Sequence, residues 1–211
     1  MKLQIPTDNR LFIVSAPSGS GKTSLIKRAL AELKNLKLSV SHTTRLPRPR
    51  ERDGRDYFFV DESTFQSMIE DGEFLEYAMV FGAYYGTSRL LIEHELAKGH
   101  DIIMEIDWQG ARQIRNYYPD TFSIFILPPS LEVLQERLHR RAQDSRAVIA
   151  SRMKQARFEA KHYNEYNYTV INDDFERASA ELISILAKRG EQSVLEKAEK
   201  LLDKTVRALN L

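Results

Sequence analysis

Apolar residues in this chain fall into two kinds of run. Leu11 to Ser15, Ile102 to Ile106, Phe122 to Leu127 and Tyr168 to Ile171 are short and almost unbroken, the pattern of strands covered on both faces. Lys22 to Leu33, Leu131 to Arg141, Ala147 to His162 and Phe175 to Lys188 are longer and carry apolar residues at helical spacing. Strands alternating with helices predict a parallel sheet flanked by helices, an α/β core. Between Ser41 and Lys98 the texture changes. Strand-like pieces (Tyr57 to Val60, Phe74 to Val80) lie among turn signals at Asp53-Gly54 and Gly82 and a concentration of tyrosines and arginines, which predicts an inserted subdomain. The expected organisation is one domain, with a core made of 1–40 and 99–190, an insertion at 41–98 and a C-terminal helix at 191–211. That last segment is rich in Lys and Glu with leucines at helical intervals, and is expected to pack on the body or on a second subunit.

At 211 residues and 42% hydrophobic content, the chain can bury roughly 70% of the surface its unfolded form exposes, enough for a self-sufficient core. Its 31 Lys plus Arg nearly balance 30 Asp plus Glu, so no global field draws it onto nucleic acid or an anionic membrane, and partners have to be argued from local sites. The absence of cysteine excludes disulfides, thiolate catalysis and Cys-based zinc sites. His42, His94, His100, His139 and His162 show no paired ligand spacing and read as scattered surface or capping residues. No run approaches the ~20 apolar residues of a membrane span, and Lys2 is followed by only a few apolar residues before Asp8, Asn9 and Arg10, unlike a signal peptide. A soluble cytoplasmic protein is expected.

The chemistry begins after the first strand. Leu11 to Ser24 reads Leu-Phe-Ile-Val-Ser-Ala-Pro-Ser-Gly-Ser-Gly-Lys-Thr-Ser: a buried strand, a glycine-containing turn and a helix start, the context a phosphate-cradling loop requires. Gly19 and Gly21 let backbone N–H groups turn toward a pyrophosphate, the helix from Lys22 adds its positive end, Lys22 supplies a full charge, and the Thr23 hydroxyl can ligate Mg²⁺. Gly-Lys followed by Ser or Thr arises by chance in roughly one chain of this size in ten, and Ala16 stands where the usual pattern has its first glycine. The strand before, the helix after and Gly19 carry the case for a P-loop phosphotransferase that binds the phosphates of a nucleoside triphosphate.

Further stretches recur with a particular order and spacing: Ser39 to Arg50 (Ser-Val-Ser-His-Thr-Thr-Arg-Leu-Pro-Arg-Pro-Arg), Asp56 to Val60 (Asp-Tyr-Phe-Phe-Val), Glu73 to Tyr77 (Glu-Phe-Leu-Glu-Tyr), Phe81 to Ser88 (Phe-Gly-Ala-Tyr-Tyr-Gly-Thr-Ser) and Glu105 to Gly110 (Glu-Ile-Asp-Trp-Gln-Gly). With Phe125 to Ser130 and Val170 to Asp174 they resemble guanylate kinase, from about Leu11 to about Lys188. The Ser-Ala-Pro-Ser-Gly spelling before Gly-Lys is also how the bacterial members it resembles write the loop. The resemblance implies a P-loop NTPase-type parallel sheet with an inserted mixed α/β GMP-binding subdomain and a helical lid at about 136–153. It also implies transfer of the γ-phosphoryl group of ATP to GMP, giving ADP and GDP, within purine nucleotide metabolism.

The resemblance also assigns residues. Ala16, Pro17, Ser18, Gly19, Ser20, Gly21, Lys22 and Thr23 hold ATP phosphates, and Asn172 lies near its adenine. Arg45 and Arg48 hold the GMP phosphate with guanidinium forks, and Tyr57 and Tyr85 donate to it. Glu76 reads guanine: its carboxylate accepts from N1–H and N2–H₂, whereas adenine presents a lone pair at N1. Ser41, Thr87 and Asp107 match further base-reading positions, and a site built on such hydrogen bonds can reject an analogue lacking them by about 10⁴ to 10⁵. Arg137, Arg141 and Arg152 converge on the transferred phosphoryl group as catalytic cations beside Lys22. Thr23 and Glu105 are the metal candidates, Glu105 standing where many relatives have aspartate. Arg140 and Ala142 occupy positions commonly glycine in bacterial relatives. GMP, with dGMP admissible, and ATP are the expected partners, and a homo-oligomer is compatible.

Each assignment has a plainer counterpart in the residues alone. An Arg-Pro-Arg-Pro-Arg string can be a solvated loop, Tyr84 and Tyr85 can be core, Trp108 reads as core packing, the arginines near Glu136 can form a solvated helix face, and Asn-Asp-Asp after a strand is good capping chemistry. Two other functions use similar parts: a non-catalytic guanylate-kinase-like binding module, and a P-loop kinase with a different acceptor. Lys22 and Thr23 argue against the first, Glu76 with Arg45 and Arg48 against the second.

Overall fold

A computed structural model of the chain describes residues 10–140, 146–187, 199–209 and 211. In chain order the elements are β1 (Leu11–Ser15), α1 (Lys22–Glu32), β2 (Leu36–Leu38), β3 (His42–Thr43), β4 (Phe58–Phe59), α2 (Glu62–Glu70), β5 (Phe74–Val80) and β6 (Ala83–Ser88). There follow α3 (Arg89–Ala97), β7 (Asp101–Glu105), α4 (Trp108–Tyr117), β8 (Phe122–Leu127), α5 (Leu131–Arg140) and α6 (Arg146–Ala160). A 3-10 turn (Lys161–Glu165), β9 (Tyr168–Ile171), α7 (Phe175–Ala187) and α8 (Glu199–Leu209) complete the chain. The larger sheet has the order β2-β7-β1-β8-β9, and its pairs β2/β7 and β8/β9 are parallel. This is the α/β class that alternating strands and helices predict. Two compact units can be distinguished, Met1–Ile13 with Asn35–Thr121 and Val14–Lys34 with Phe122–Leu211.

In the first unit, β2 pairs with β7 from Leu36↔Asp101 to Leu38↔Ile103. β7 starts one residue earlier than its apolar run because the Asp101 backbone N–H donates to Asn35 O (3.0 Å). The smaller sheet has the order β4-β3-β6-β5. β5 and β6 form a hairpin closed at Val80↔Ala83 by Phe81 and Gly82, both with positive φ (51° and 77°), the signature of a type I′ turn. Asp61 caps α2, its Oδ1 accepting from Thr64 N (2.7 Å).

The two faces of this small sheet carry different chemistry. On one, His42 stacks on Phe58 (4.8 Å), and Phe65 of α2 stacks on Phe74 (4.6 Å) and Tyr84 (5.3 Å). Strict alternation would keep Glu76 on the side of Phe74. A bulge between Phe74 and Glu76 shifts the register from Phe74↔Ser88 to Glu76↔Thr87. Bulges re-aim side chains in this way, and Glu76 is turned to the opposite face, that of Thr87 and Tyr85.

In the second unit, all five positions of β8 after Phe122 are buried, and β8 pairs in register with β9 from Ile124↔Tyr168 to Leu127↔Ile171. Leu25, Ile26 and Ala29 bury one side of α1, which packs on α7 through a stripe that includes Ala178, Leu182 and Ile185. Leu134 and Leu138 of α5 cluster with Ile149 and Ala156 of α6. α8 lies within the predicted terminal helix and packs on β9. No helix among the described residues is long and apolar enough to cross a membrane.

Candidate active site

The phosphate-type loop lies in the second unit, between β1 and α1. Gly19 and Gly21 both adopt φ near +92°, a left-handed conformation that glycine takes without penalty. Gly21 is the N-cap of α1 and has no side chain to cap with, and the first turn holds no acidic residue, so the positive helix end is left for an anion. A β-carbon at Gly19 would stand 2.9 Å from Leu134 Cδ1, and one at Gly21 would collide with Asn172 Nδ2. Ser20 N donates to Pro17 O (3.1 Å), closing the turn. Among the described residues the buried Ser20 hydroxyl has no hydrogen-bond partner, the kind of orphan that a phosphate oxygen satisfies.

The loop is braced from behind. Asn172, 5% exposed at the end of β9, donates from Nδ2 to Ser20 O (2.7 Å), and its own backbone N–H donates to Leu127 O (2.9 Å). Arg137 of α5 reaches the same place, donating from Nη2 to Asn172 O (2.8 Å) and from Nη1 to Ser20 O (3.4 Å). Asn172 and Arg137 therefore meet at the loop, though their sequence signals differ: a capping-like Asn after a strand and an arginine on a helix.

The second constellation lies in the first unit, on the bulge-exposed face of the small sheet. Thr43 Oγ1 donates to Tyr84 O (2.9 Å) and accepts from Arg45 N (3.2 Å), fixing the point from which Arg45 leaves β3. The Arg45 guanidinium donates from Nε to Tyr85 Oη (3.2 Å), from Nη1 to Leu46 O (2.7 Å) and Glu51 Oε2 (3.0 Å), and from Nη2 to Glu51 Oε1 (3.0 Å). It also lies over the rings of Tyr57 (5.4 Å) and Phe59 (5.9 Å). Glu51 accepts from Arg48 N as well (2.7 Å), and these contacts hold its carboxyl below the ordinary value against the opposing effect of burial. Burial, with Glu105 and Tyr85 adding, pushes the Tyr57 phenol up to about 12, so it remains a hydrogen-bond donor at neutral pH.

Next to this cluster Glu76 is 4% exposed. Its Oε1 accepts from Thr87 Oγ1 (2.6 Å), and Thr87 lies 3.5 Å from Ser41 Oγ. Burial pushes the Glu76 carboxyl up to about 7; Asp107 raises it further and the Thr87 hydrogen bonds lower it. Asp107 is the N-cap of α4, with Oδ1 accepting from Gln109 N (3.1 Å) and Gly110 N (3.0 Å) and Oδ2 from Gln109 Nε2 (2.9 Å). A buried carboxylate held by the Thr87 hydroxyl, itself next to that of Ser41, can accept from a planar donor edge, and a phenol–guanidinium cluster beside it can hold an anion.

The sequence model of the guanylate kinase family matches residues 8–189. The chain belongs to the guanylate kinase family. It is 55% identical over 176 residues to the guanylate kinase of Methylobacillus flagellatus, covering 83% of this chain and 87% of that protein. To the guanylate kinase of Coxiella burnetii it is 50% identical over 188 residues, covering 89% and 91%. The crystal structure of guanylate kinase from Anaplasma phagocytophilum superposes with a TM-score of 0.73 at 32% identity, covering 90% of this chain and 91% of that one.

Among the family-derived residues, Lys22 and Thr23 open α1, Arg152 lies on α6, Glu105 ends β7 and Arg48 is exposed in the loop after β3. Arg141 and Ala142, with the middle of the expected lid, lie outside the described residues, and so does the side chain of Arg140. Tyr84 and Tyr85, which the sequence alone leaves as core candidates, part company: Tyr84 joins the aromatic face and Tyr85 meets Arg45. Trp108 is half-buried at the start of α4, with Arg112 over its ring (4.8 Å). Sequence reasoning missed Glu51, whose only signal is being an acid set between Arg50 and Arg52, and Gly110, whose neighbours are set by the fold.

Proposed function

We propose that this chain transfers the γ-phosphoryl group of ATP to GMP, giving ADP and GDP. The observation that carries this reading is the face shared by Glu76, Thr87, Ser41, Arg45, Tyr57 and Tyr85: a buried carboxylate for the guanine donor edge and a phenol–guanidinium cluster for the phosphate. Asp107 supports the base-reading end through its charge and its cap on α4, and Arg48 adds a second guanidinium to the phosphate end. On the donor side, residues 16–23 cradle the phosphates of ATP, with Asn172 and Arg137 holding the loop and Lys22, Arg137, Arg141 and Arg152 meeting charge on the phosphoryl group. The acceptor is a phosphate oxygen, already nucleophilic, so positioning and cations supply the rate enhancement without a general base.

The reaction takes magnesium as its metal. Thr23 and Glu105 are hard oxygen donors of the type that ion prefers, and it binds through one or two protein groups plus substrate phosphates. When bound, it neutralises charge on the phosphates. The decisive assay measures ADP release with ATP, Mg²⁺ and GMP, AMP, UMP or CMP as acceptor. GMP is expected to exceed the others in kcat/KM by about 10⁴; equal rates would sink Glu76 as the base reader.

A further inference from the structure

α4 contains a glycine for which its backbone gives no reason. Gly110 is the third residue of the helix, its N–H donates to Asp107 Oδ1, and its φ is not among the positive values that glycine alone tolerates. Inside a helix glycine is the poorest residue after proline, and alanine the best. The explanation lies across the gap to β5. A β-carbon at position 110 would stand 2.9 Å from Glu76 Cδ and 3.4 Å from Glu76 Cγ, and would collide outright with Glu76 Oε2. Its three nearest neighbours are thus all atoms of one side chain, and that side chain is the buried carboxylate. Gly86 differs: its backbone is also ordinary, but the atoms that a β-carbon would meet belong to the rings of Phe74 and Phe65, which is core packing.

We propose that Gly110 is a positioning residue that sets acceptor specificity: its missing side chain makes the space that Glu76 Oε2 occupies, and any larger residue moves the carboxylate instead of the backbone. The carboxylate is the part that yields because it is the free end of a flexible chain, held on its other oxygen by the Thr87 hydroxyl, whereas the α4 backbone is fixed by the Asp107 cap and by packing on β5. A displaced carboxylate no longer presents two acceptor oxygens to N1–H and N2–H₂ of guanine. The loss therefore falls on base discrimination, and the helix itself gains propensity. The inference rests on the proposed reading of Glu76.

The test compares wild type with Gly110→Ala, measuring KM and kcat for GMP, kcat/KM for AMP, KM for ATP and the thermal midpoint. The expected result is a GMP KM raised ~10- to 10²-fold, the scale of one lost hydrogen bond to a charged group, and a GMP-over-AMP preference reduced by a similar factor. kcat, the ATP KM and the midpoint should stay near wild type. Intact discrimination in the variant overturns the proposal whatever its stability. If Gly110→Ala fails to fold, the double variant Gly110→Ala with Glu76→Asp decides: shortening the acid relieves the collision, so a recovered fold supports the proposal and continued misfolding overturns it. A wild type with no preference for GMP overturns both the reading of Glu76 and the inference, whereas a GMP-selective wild type with an equally selective variant overturns the inference alone.

Discussion

Replacing Glu76 by glutamine keeps the side chain's volume and removes its charge, so the change isolates what burial costs the folded chain. The carboxyl is raised from its ordinary 4.5 to about 7, by burial first and by the Asp107 charge, against the Thr87 hydrogen bonds. At 1.36 kcal/mol per pH unit, a rise of that size corresponds to about 3 kcal/mol. The sign follows from linkage: a raised acid binds its proton more tightly in the folded state, so the folded state carries no penalty below about pH 4.5. The penalty accumulates as pH rises from there to about 7, and is full and constant above. Glu76→Gln should therefore be more stable than wild type by about 3 kcal/mol at pH 8, an increase in Tm of ~6–12 °C for a chain of this size, and by less than ~1 kcal/mol at pH 5. The assay is paired thermal or denaturant unfolding of the two proteins at pH 5, 6, 7 and 8. A difference that stays flat across that range would refute the reasoning. The same variant should lose about 10²-fold in kcat/KM for GMP, because an amide N–H₂ then faces a donor edge; stability and function thus move in opposite directions at this residue.

Two further perturbations address the donor side. Lys22→Ala should lower turnover by something on the order of 10² or more with little change in Tm, read by coupled ADP release; near-normal turnover would count against the role given to the loop. Asn172→Ala removes the 2.7 Å bond to Ser20 O while Arg137 keeps its 3.4 Å contact there. It should destabilise the protein by about 1–3 kcal/mol and raise the ATP KM without moving the GMP KM; an unchanged ATP KM would show that the bracing contact does not shape the loop.

Much of the scaffold is legible in the sequence because strands covered on both faces read as unbroken apolar runs that leave no choice of face. Leu11–Ser15, Phe122–Leu127 and Tyr168–Ile171 coincide with their apolar runs, and the helices flanking them differ from their predicted ends by a residue or two. β4 lies inside the strand-like piece Tyr57 to Val60, but β2, three residues with one buried, and β3, two residues, stay hidden, too short for a period to register. α4 reads poorly because its first turn contains Gly110, which lowers helix propensity. At the candidate site, it is the resemblance to the guanylate kinase family that points to Glu76 and Arg45, and the face on which Glu76 sits depends on a bulge that no alternation reveals. Glu51 and Gly110 matter through neighbours 6 and 34 positions away, and local pattern carries no such information.

The Arg45–Glu51 pair has a consequence for how an acceptor is chosen. Arg45 has four N–H groups committed, two to Glu51, one to Leu46 O and one to Tyr85, of the five a guanidinium offers. On the proposed reading, an incoming phosphate meets a cation that is already neutralised, and binding becomes an exchange of one anion for another. A singly charged ion offers that guanidinium little that a carboxylate does not already provide. A doubly charged phosphomonoester offers more, so the pair acts as a charge threshold, passing over the monovalent anions of the cell and responding to the terminal phosphate of a nucleotide.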